Sequence, residues 1–173
     1  DHRDLHSFPT RRSSDLVIMR IVPNDGPVPD FEAGQFLTLG LPNPANDGKI
    51  VRRAYSIASH PENKEYIEFV IRWVRKPLPG RLTTQIFNAK EGVEILWLKP
   101  SGRALGISEE LPNGEKDTRR IICIGGGTGL APFVSFAQHL YDTKDKREII
   151  VLHGASYRKS TRLNSSHSEI SYA

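Results

Sequence analysis

The sequence predicts an antiparallel β-barrel followed by a parallel α/β domain, and three observations carry that expectation. The first half sets short β-rich runs between Pro-, Gly- and Asn-rich turns, the punctuation of an all-β unit. The second half changes period. Arg120-Ile121-Ile122-Cys123-Ile124 is an apolar run that ends in three glycines, and helical spacing follows it. Another apolar run, Ile149-Ile150-Val151-Leu152-His153, then completes a βαβ unit.

The β-rich runs cover 17–22, 35–41, 53–59, 66–74 and 93–98, with turns at 23–29 and 42–48. Tyr66-Ile67-Glu68-Phe69-Val70-Ile71-Arg72-Trp73 largely alternates apolar and polar-compatible positions, as a half-buried strand should. One short helix, 82–87, follows Pro77-Leu78-Pro79-Gly80, and Thr83 or Thr84 is placed to cap its start. Residues 106–118, polar and containing Pro112-Asn113-Gly114, read as the connection between domains. A helix is expected over 131–141 and a charged turn over 142–148. The two flanking strands should be parallel and buried on both faces. No internal repeat interrupts 17–157.

The two ends read differently. Residues 1–16 and 158–173 are polar, rich in Ser and Arg, and lack helical or strand periodicity. Both are similar to one reading frame of common short-read sequencing adapters: Arg158 through His167 match it, Ser168-Glu169 fall at the sample index, and Ile170-Ser171-Tyr172-Ala173 resume it. Natural disordered tails are the alternative. The expected organisation is therefore an adapter-derived tail at 1–16, the barrel at 17–105, the connection at 106–118, the first part of a second domain at 119–157, and a second tail at 158–173. That makes the natural part a gene fragment, and the ends are set aside from function.

Composition is corrected accordingly. The chain has 24 Lys+Arg against 20 Asp+Glu, or +4. Removing Arg3, Arg11, Arg12, Arg158, Lys159 and Arg162, and Asp1, Asp4, Asp15 and Glu169, leaves 18 against 16, or +2. Basicity is thus no argument for nucleic-acid binding. The single cysteine, Cys123, forbids an internal disulfide or a cysteine-based metal cluster, and its place in an apolar strand suits a core residue. His60, in a polar turn, and His139, on a helix, have no partner in the sequence that suggests a metal or a nucleophile. No apolar run approaches the roughly 18 residues a membrane span needs. A soluble, cytoplasmic monomer without a membrane or nucleic-acid partner is expected.

Two motifs carry chemistry. In Arg53-Ala54-Tyr55-Ser56, strand alternation puts Arg53 and Tyr55 on one face and Ala54 and Ser56 on the other. Arg offers a forked phosphate contact, Tyr an aromatic plane with a polar tip, and Ser a small donor. An ordinary half-exposed strand is the alternative. Gly125-Gly126-Gly127-Thr128-Gly129-Leu130-Ala131-Pro132 places a glycine turn between a strand end and a helix N-terminus, the arrangement that receives pyrophosphate. It fails the dinucleotide fingerprint, because Leu130 stands at the last glycine position. Pro132 suits a first helical turn, and Thr128 suits either a phosphate contact or a helix cap. Between the two motifs, Gly80-Arg81-Leu82-Thr83-Thr84 offers a close backbone approach and free helix-start N–H groups, or simply a structural turn.

In this order the motifs resemble the ferredoxin–NADP reductase family, and the resemblance covers nearly all of 17–157. Gly34-Gln35-Phe36 and Lys99-Pro100-Ser101-Gly102-Arg103-Ala104-Leu105 also fit its barrel. The resemblance implies a flavin-binding β-barrel followed by a truncated nicotinamide-binding α/β domain, with FAD and NADP(H) as cofactors. It implies flavin contacts at Arg53, Tyr55 and Ser56, with Tyr55 and Ser56 beside the reacting ring. It implies flavin-phosphate contacts at Gly80, Leu82, Thr83 and Thr84, Thr83 ahead of Thr84. Nicotinamide-nucleotide contacts are implied at Gly126, Gly127, Thr128, Gly129 and Pro132, and Ser156 is a candidate for selecting the 2′-phosphate. No metal is implied. The activity implied is transfer of reducing equivalents between NADP(H) and a ferredoxin or flavodoxin. Arg72, Arg75, Lys76 and Arg81 are candidates for steering such an acidic carrier, or make up a solvated face. An NADH-linked reductase component of an oxygenase, using FAD or FMN, and a non-catalytic flavin- or nucleotide-binding subunit are the alternatives. The family's C-terminal cysteine-glycine segment, which would separate these, has no counterpart here.

Overall fold

A computed structural model describes residues 3–12, 15–75, 77–154 and 167–172 of the chain, the first and last of these as backbone strands. The first domain is a six-stranded antiparallel sheet. Its strands are β1 (Arg3–Arg12), β2 (Leu16–Pro23), β3 (Phe36–Pro42), β4 (Ile50–Ser56), β5 (Ile67–Arg72) and β6 (Glu94–Trp97), in the order β4-β3-β6-β1-β2-β5. Alternation explains the strands that the sequence marks. β2 turns Val17, Met19 and Ile21 inward, and β5 turns Ile67, Phe69 and Ile71 inward. Leu37, Leu39 and Ile95 join them, and the helix α1 (Arg81–Asn88) adds Leu82, Ile86 and Phe87 from one side.

The expected antiparallel barrel is present as a six-stranded sheet that does not close by a ladder, since its edge strands β4 and β5 are not paired with each other. The gap between them is bridged just past β4, where the Ala58 N–H donates to the Glu68 carbonyl at 2.8 Å and the Ser59 hydroxyl accepts from the Glu68 N–H at 3.0 Å. β4 itself runs over 50–56 rather than 53–59, because its hairpin with β3 fixes the register from Pro42↔Ile50 to Phe36↔Ser56.

Both ends contribute a strand. β1 lies inside the sheet, paired with β2 and β6, with its ladder irregular between Pro9 and Arg11. A sheet edge binds extended backbone through main-chain N–H and C=O groups, so no apolar alternation is required of the strand that joins it. Proline lacks the ladder N–H, which accounts for an irregularity beside Pro9.

The second domain contains β7 (Ile121–Gly126), α2 (Ala131–Asp142), β8 (Ile149–Gly154) and β9 (His167–Tyr172), the strands ordered β7-β8-β9. β7 and β8 are parallel, as expected, whereas β9 runs antiparallel to β8 and makes the sheet three-stranded. Cys123, Ile149 and Val151 pack against Phe136 and Leu140 of α2. The expected burial of both faces is corrected: Ile122 is 61% exposed, Ile124 74% and Leu152 40%. Among the described residues, α2 is the helix on this sheet, and it covers one face.

The two domains touch at Gly34 (φ +93°), where a Cβ would collide with the Leu105 carbonyl and lie 2.9 Å from the Phe136 ring. Ala33 beside it is buried in the α2 core. The intervening segment folds on itself through Leu111 N–H to the Glu115 carbonyl and Asp117 N–H to the Glu109 carbonyl, both 2.8 Å.

Candidate functional site

β4 presents its motif from an edge. Arg53 and Ser56 are exposed, and Tyr55 is half-buried with its ring against the barrel core. Burial of that ring pushes the Tyr55 phenol up to about 12, opposed by the nearby Arg53 charge. The phenol therefore stays a hydrogen-bond donor at any ordinary pH. The Arg53 guanidinium rests on the Arg52 carbonyl at 2.7 Å, a contact that the side chain exchanges readily because both residues are exposed.

The start of β3 supports this strand. Ile57 N–H donates to the Gln35 carbonyl at 3.0 Å, and Phe36 exchanges backbone hydrogen bonds with Ser101 at 2.9 and 3.0 Å. The Gln35 side chain donates to the Gly102 carbonyl at 3.2 Å. The 99–105 turn is thus tied to the residues that hold β4.

α1 opens at Gly80, which is its N-cap and has no side chain to cap with, so the expected Thr83 or Thr84 cap is corrected. A helix start leaves its first-turn N–H groups without intrahelical acceptors. They border a cleft of about 410 Å³ lined by Asn43, Pro79, Gly80, Arg81, Thr84 and Gln85. The two threonines are distinguished by their partners. Thr84 Oγ1 accepts from the Trp73 indole at 3.1 Å, whereas the Thr83 hydroxyl has a long 3.4 Å contact to the Gly80 carbonyl. Leu82 is 2% exposed and belongs to the barrel core.

Of the basic stretch, Arg81 is exposed, Arg72 pairs with Asp15 at 3.4 Å, and Arg75 lies 4.2 Å over the Trp73 ring. Lys76 lies outside the described residues.

The glycine motif forms the end of β7 and a 3₁₀ turn, Gly127–Leu130, that leads into α2. Gly127 takes φ +55°, and a Cβ on Gly125 would lie 2.9 Å from the Phe133 ring. Gly126, Gly127 and Gly129 are exposed, and Thr128 is half-buried. No side chain caps α2, so the cap alternative for Thr128 is not used. Pro132 is buried in the first turn of α2, where it shapes the helix start. The 3₁₀ turn neighbours β5 of the first domain.

The sequence did not single out His153 as part of this turn, yet its Nε2 lies 2.9 Å from the Gly127 carbonyl. Its position across the parallel ladder from Gly125 is the signal that could have found it. Ser156 lies outside the described residues. The fold also supplies partners to the two histidines for which the sequence suggested no metal or nucleophile partner. His60 meets Asp142 and Gln138, and His139 meets Glu62, all across the domain junction. Partners so far apart in sequence are brought together only by the fold.

Comparison with known proteins agrees with this arrangement. The family profile described as oxidoreductase FAD-binding domain matches residues 10–104, and that described as oxidoreductase NAD-binding domain matches 123–171. The chain is 36% identical over 126 residues to the ferredoxin–NADP reductase of Azotobacter vinelandii, covering 72% of this chain and 43% of the relative. It is 34% identical over 146 residues to reductase component 1 of the terephthalate 1,2-dioxygenase of a Comamonas species, covering 84% and 39%. Its fold superposes on the crystal structure of a Neisseria gonorrhoeae ferredoxin NADP+ reductase with a TM-score of 0.69 at 20% identity, covering 94% of this chain and 61% of that one. The chain thus spans less than half the length of these two curated relatives.

Proposed function

Because the chain belongs to the ferredoxin–NADP reductase family of FAD- and NAD(P)-binding oxidoreductases, we propose that it forms the flavin-holding part, and the start of the nicotinamide-holding part, of an enzyme that passes reducing equivalents between NADP(H) and a ferredoxin or flavodoxin. The observation that carries this reading is the approach of the Gly127–Leu130 turn to the barrel that bears Arg53, Tyr55 and Ser56.

The residues present fit both cofactors. Arg53 is exposed for a phosphate, Tyr55 offers a fixed ring plane with a protonated phenol, and Ser56 offers an exposed hydroxyl at the strand end. The α1 first turn borders its cleft through Gly80, Arg81 and Thr84, and the neighbouring Thr83 hydroxyl, with only a 3.4 Å contact to the Gly80 carbonyl, is the one offered to a flavin phosphate. Gly126, Gly127 and Gly129 leave open backbone before α2, and Thr128 has a hydroxyl not used as a cap. FAD, when bound, supplies the conversion between hydride and single-electron transfer, so the chain needs no nucleophile of its own. What these side chains do is bind, orient and keep water from the ring.

Titration of the full chain with FAD, followed by flavin fluorescence, tests the reading. One equivalent should bind, and Arg53→Ala should weaken it at least about tenfold, the scale of one lost charge-assisted contact. Unsaturable binding, or an Arg53→Ala curve that overlays the wild type, would sink it. The similarity to an oxygenase reductase component favours a second reading, in which NADH replaces NADPH and an oxygenase replaces the carrier. Flavin bleaching by NADPH against NADH separates the two.

A further inference from the structure

We propose that His60, Glu62 and Asp142 form a binding site for one divalent transition-metal ion that staples the barrel to α2. One ligand atom from each of these residues lies within 4.8 Å of the others. His60 and Glu62 come from the loop that follows β4, and Asp142 comes from the last turn of α2. The loop is braced by Asn63, whose N–H donates to the His60 carbonyl at 3.1 Å and whose side chain accepts from the Glu65 N–H at 2.9 Å. Two rigid elements therefore present the donors.

The surrounding contacts orient the ligands as metal sites require. The Gln138 amide oxygen lies 3.1 Å from His60 Nδ1 and engages that nitrogen, which leaves Nε2 as the one to ligate a metal. Nε2 faces Asp142 Oδ2, 2.6 Å away. Without metal a proton on Nε2 satisfies this pair, and a divalent ion would displace that proton, as metal binding at a histidine does. The second carboxylate, Glu62, is held by His139 Nδ1 at 2.7 Å through its Oε1. The site thus has three oriented donors, one nitrogen and two carboxylates, with Gln138 and His139 as supports.

A single imidazole with two carboxylates suits Zn²⁺, Mn²⁺, Fe²⁺ or Co²⁺ rather than a soft thiophilic ion. Two carboxylates neutralise a divalent charge. Ligand distances of about 2.0–2.2 Å require the His60–Asp142 pair to open by under about 1 Å, which side-chain rotation supplies. The remaining positions would be taken by water, since His60 and Asp142 are partly exposed. The inference is independent of the flavin reading, because none of these residues lies in the proposed cofactor motifs.

The test uses the full chain, stripped with a chelator and titrated with Zn²⁺ by calorimetry and with Co²⁺ by visible absorbance. One equivalent should bind, and saturating Zn²⁺ should raise the Tm by about 5 °C, as ligation of the folded state requires. Asp142→Asn and His60→Gln should each lower Zn²⁺ affinity at least about tenfold, the size seen when a ligand or its support is lost. Far-UV circular dichroism and the urea midpoint of both variants serve as the check that they fold. Absence of saturable binding would overturn the proposal, and so would equal binding by wild type and variants, which would assign the metal to the histidines of the chain ends.

Discussion

At the scale of single residues, two ionisable groups make opposite pH predictions. Burial pushes the Tyr55 phenol from an ordinary 10.0 to about 12. The folded state then holds a proton that the unfolded state releases, so this contribution is complete below pH 10 and lost as pH rises through 12. Wild-type stability in urea should decline across that window more steeply than that of Tyr55→Phe; parallel declines would remove the argument. Asp117 works at the other end. Its carboxylate accepts from the Arg119 guanidinium at 2.9 and 2.7 Å and from the Arg119 N–H at 3.0 Å, and these bonds lower it from 3.8 to about 2. Its contribution is present above pH 3.8 and disappears as pH falls toward 2. Asp117→Asn should therefore be less stable than wild type at neutral pH and converge with it in acid. Circular dichroism during acid titration reads both curves.

At the scale of elements, α1 joins the core to the candidate phosphate site. Its inner face is Leu82, Ile86 and Phe87, and the Phe87 ring stacks on Trp73 at 5.1 Å. Leu82→Ala should cost about 2–5 kcal/mol through the cavity it leaves, read as a lower urea midpoint. Thr84→Val removes the acceptor of the Trp73 indole and should cost about 1–3 kcal/mol. Thr83→Val should leave stability nearly unchanged and weaken FAD instead. If Thr84→Val alone reduced FAD affinity without a loss of stability, the assignment of the two hydroxyls would be reversed. The helix and the glycine turn were legible in the sequence, because Gly80, Pro132 and the 3.6-residue spacing are local signals. The sheet was legible in its central alternation, as in β5, but not in its closure. Ala58 and Glu68 meet through backbone atoms, which leave no mark on residue type. The same limit hid β1 and β9, whose places are set by ladder hydrogen bonds, and the pairing of His60 with Asp142, which depends on where α2 comes to rest against the barrel.

At the scale of the molecule, the open face of the second sheet has consequences that no single element shows. Parallel strands are ordinarily covered on both faces, because their connections lay helices on each side. Here Ile122 and Ile124 of β7 and Leu152 of β8 share the face opposite α2, and all three are exposed. Among the described residues β7 pairs with β8 alone, so its other edge adds unpaired backbone to that apolar patch. A cleft of about 510 Å³ runs along this strand, lined by Ile122, Ile124, Phe133 and Arg147 among others. Such a surface binds hydrophobic dye and lowers solubility. The double variant Ile122→Lys and Ile124→Lys replaces two exposed side chains that make no core contact, so it should fold normally. It should lose most of the dye fluorescence of the wild-type chain and raise its solubility limit, while FAD affinity, which depends on the barrel, stays the same. Undiminished dye binding would place the exposed apolar surface elsewhere. A parallel loss of FAD affinity would show that this face supports the barrel as well as the nucleotide turn.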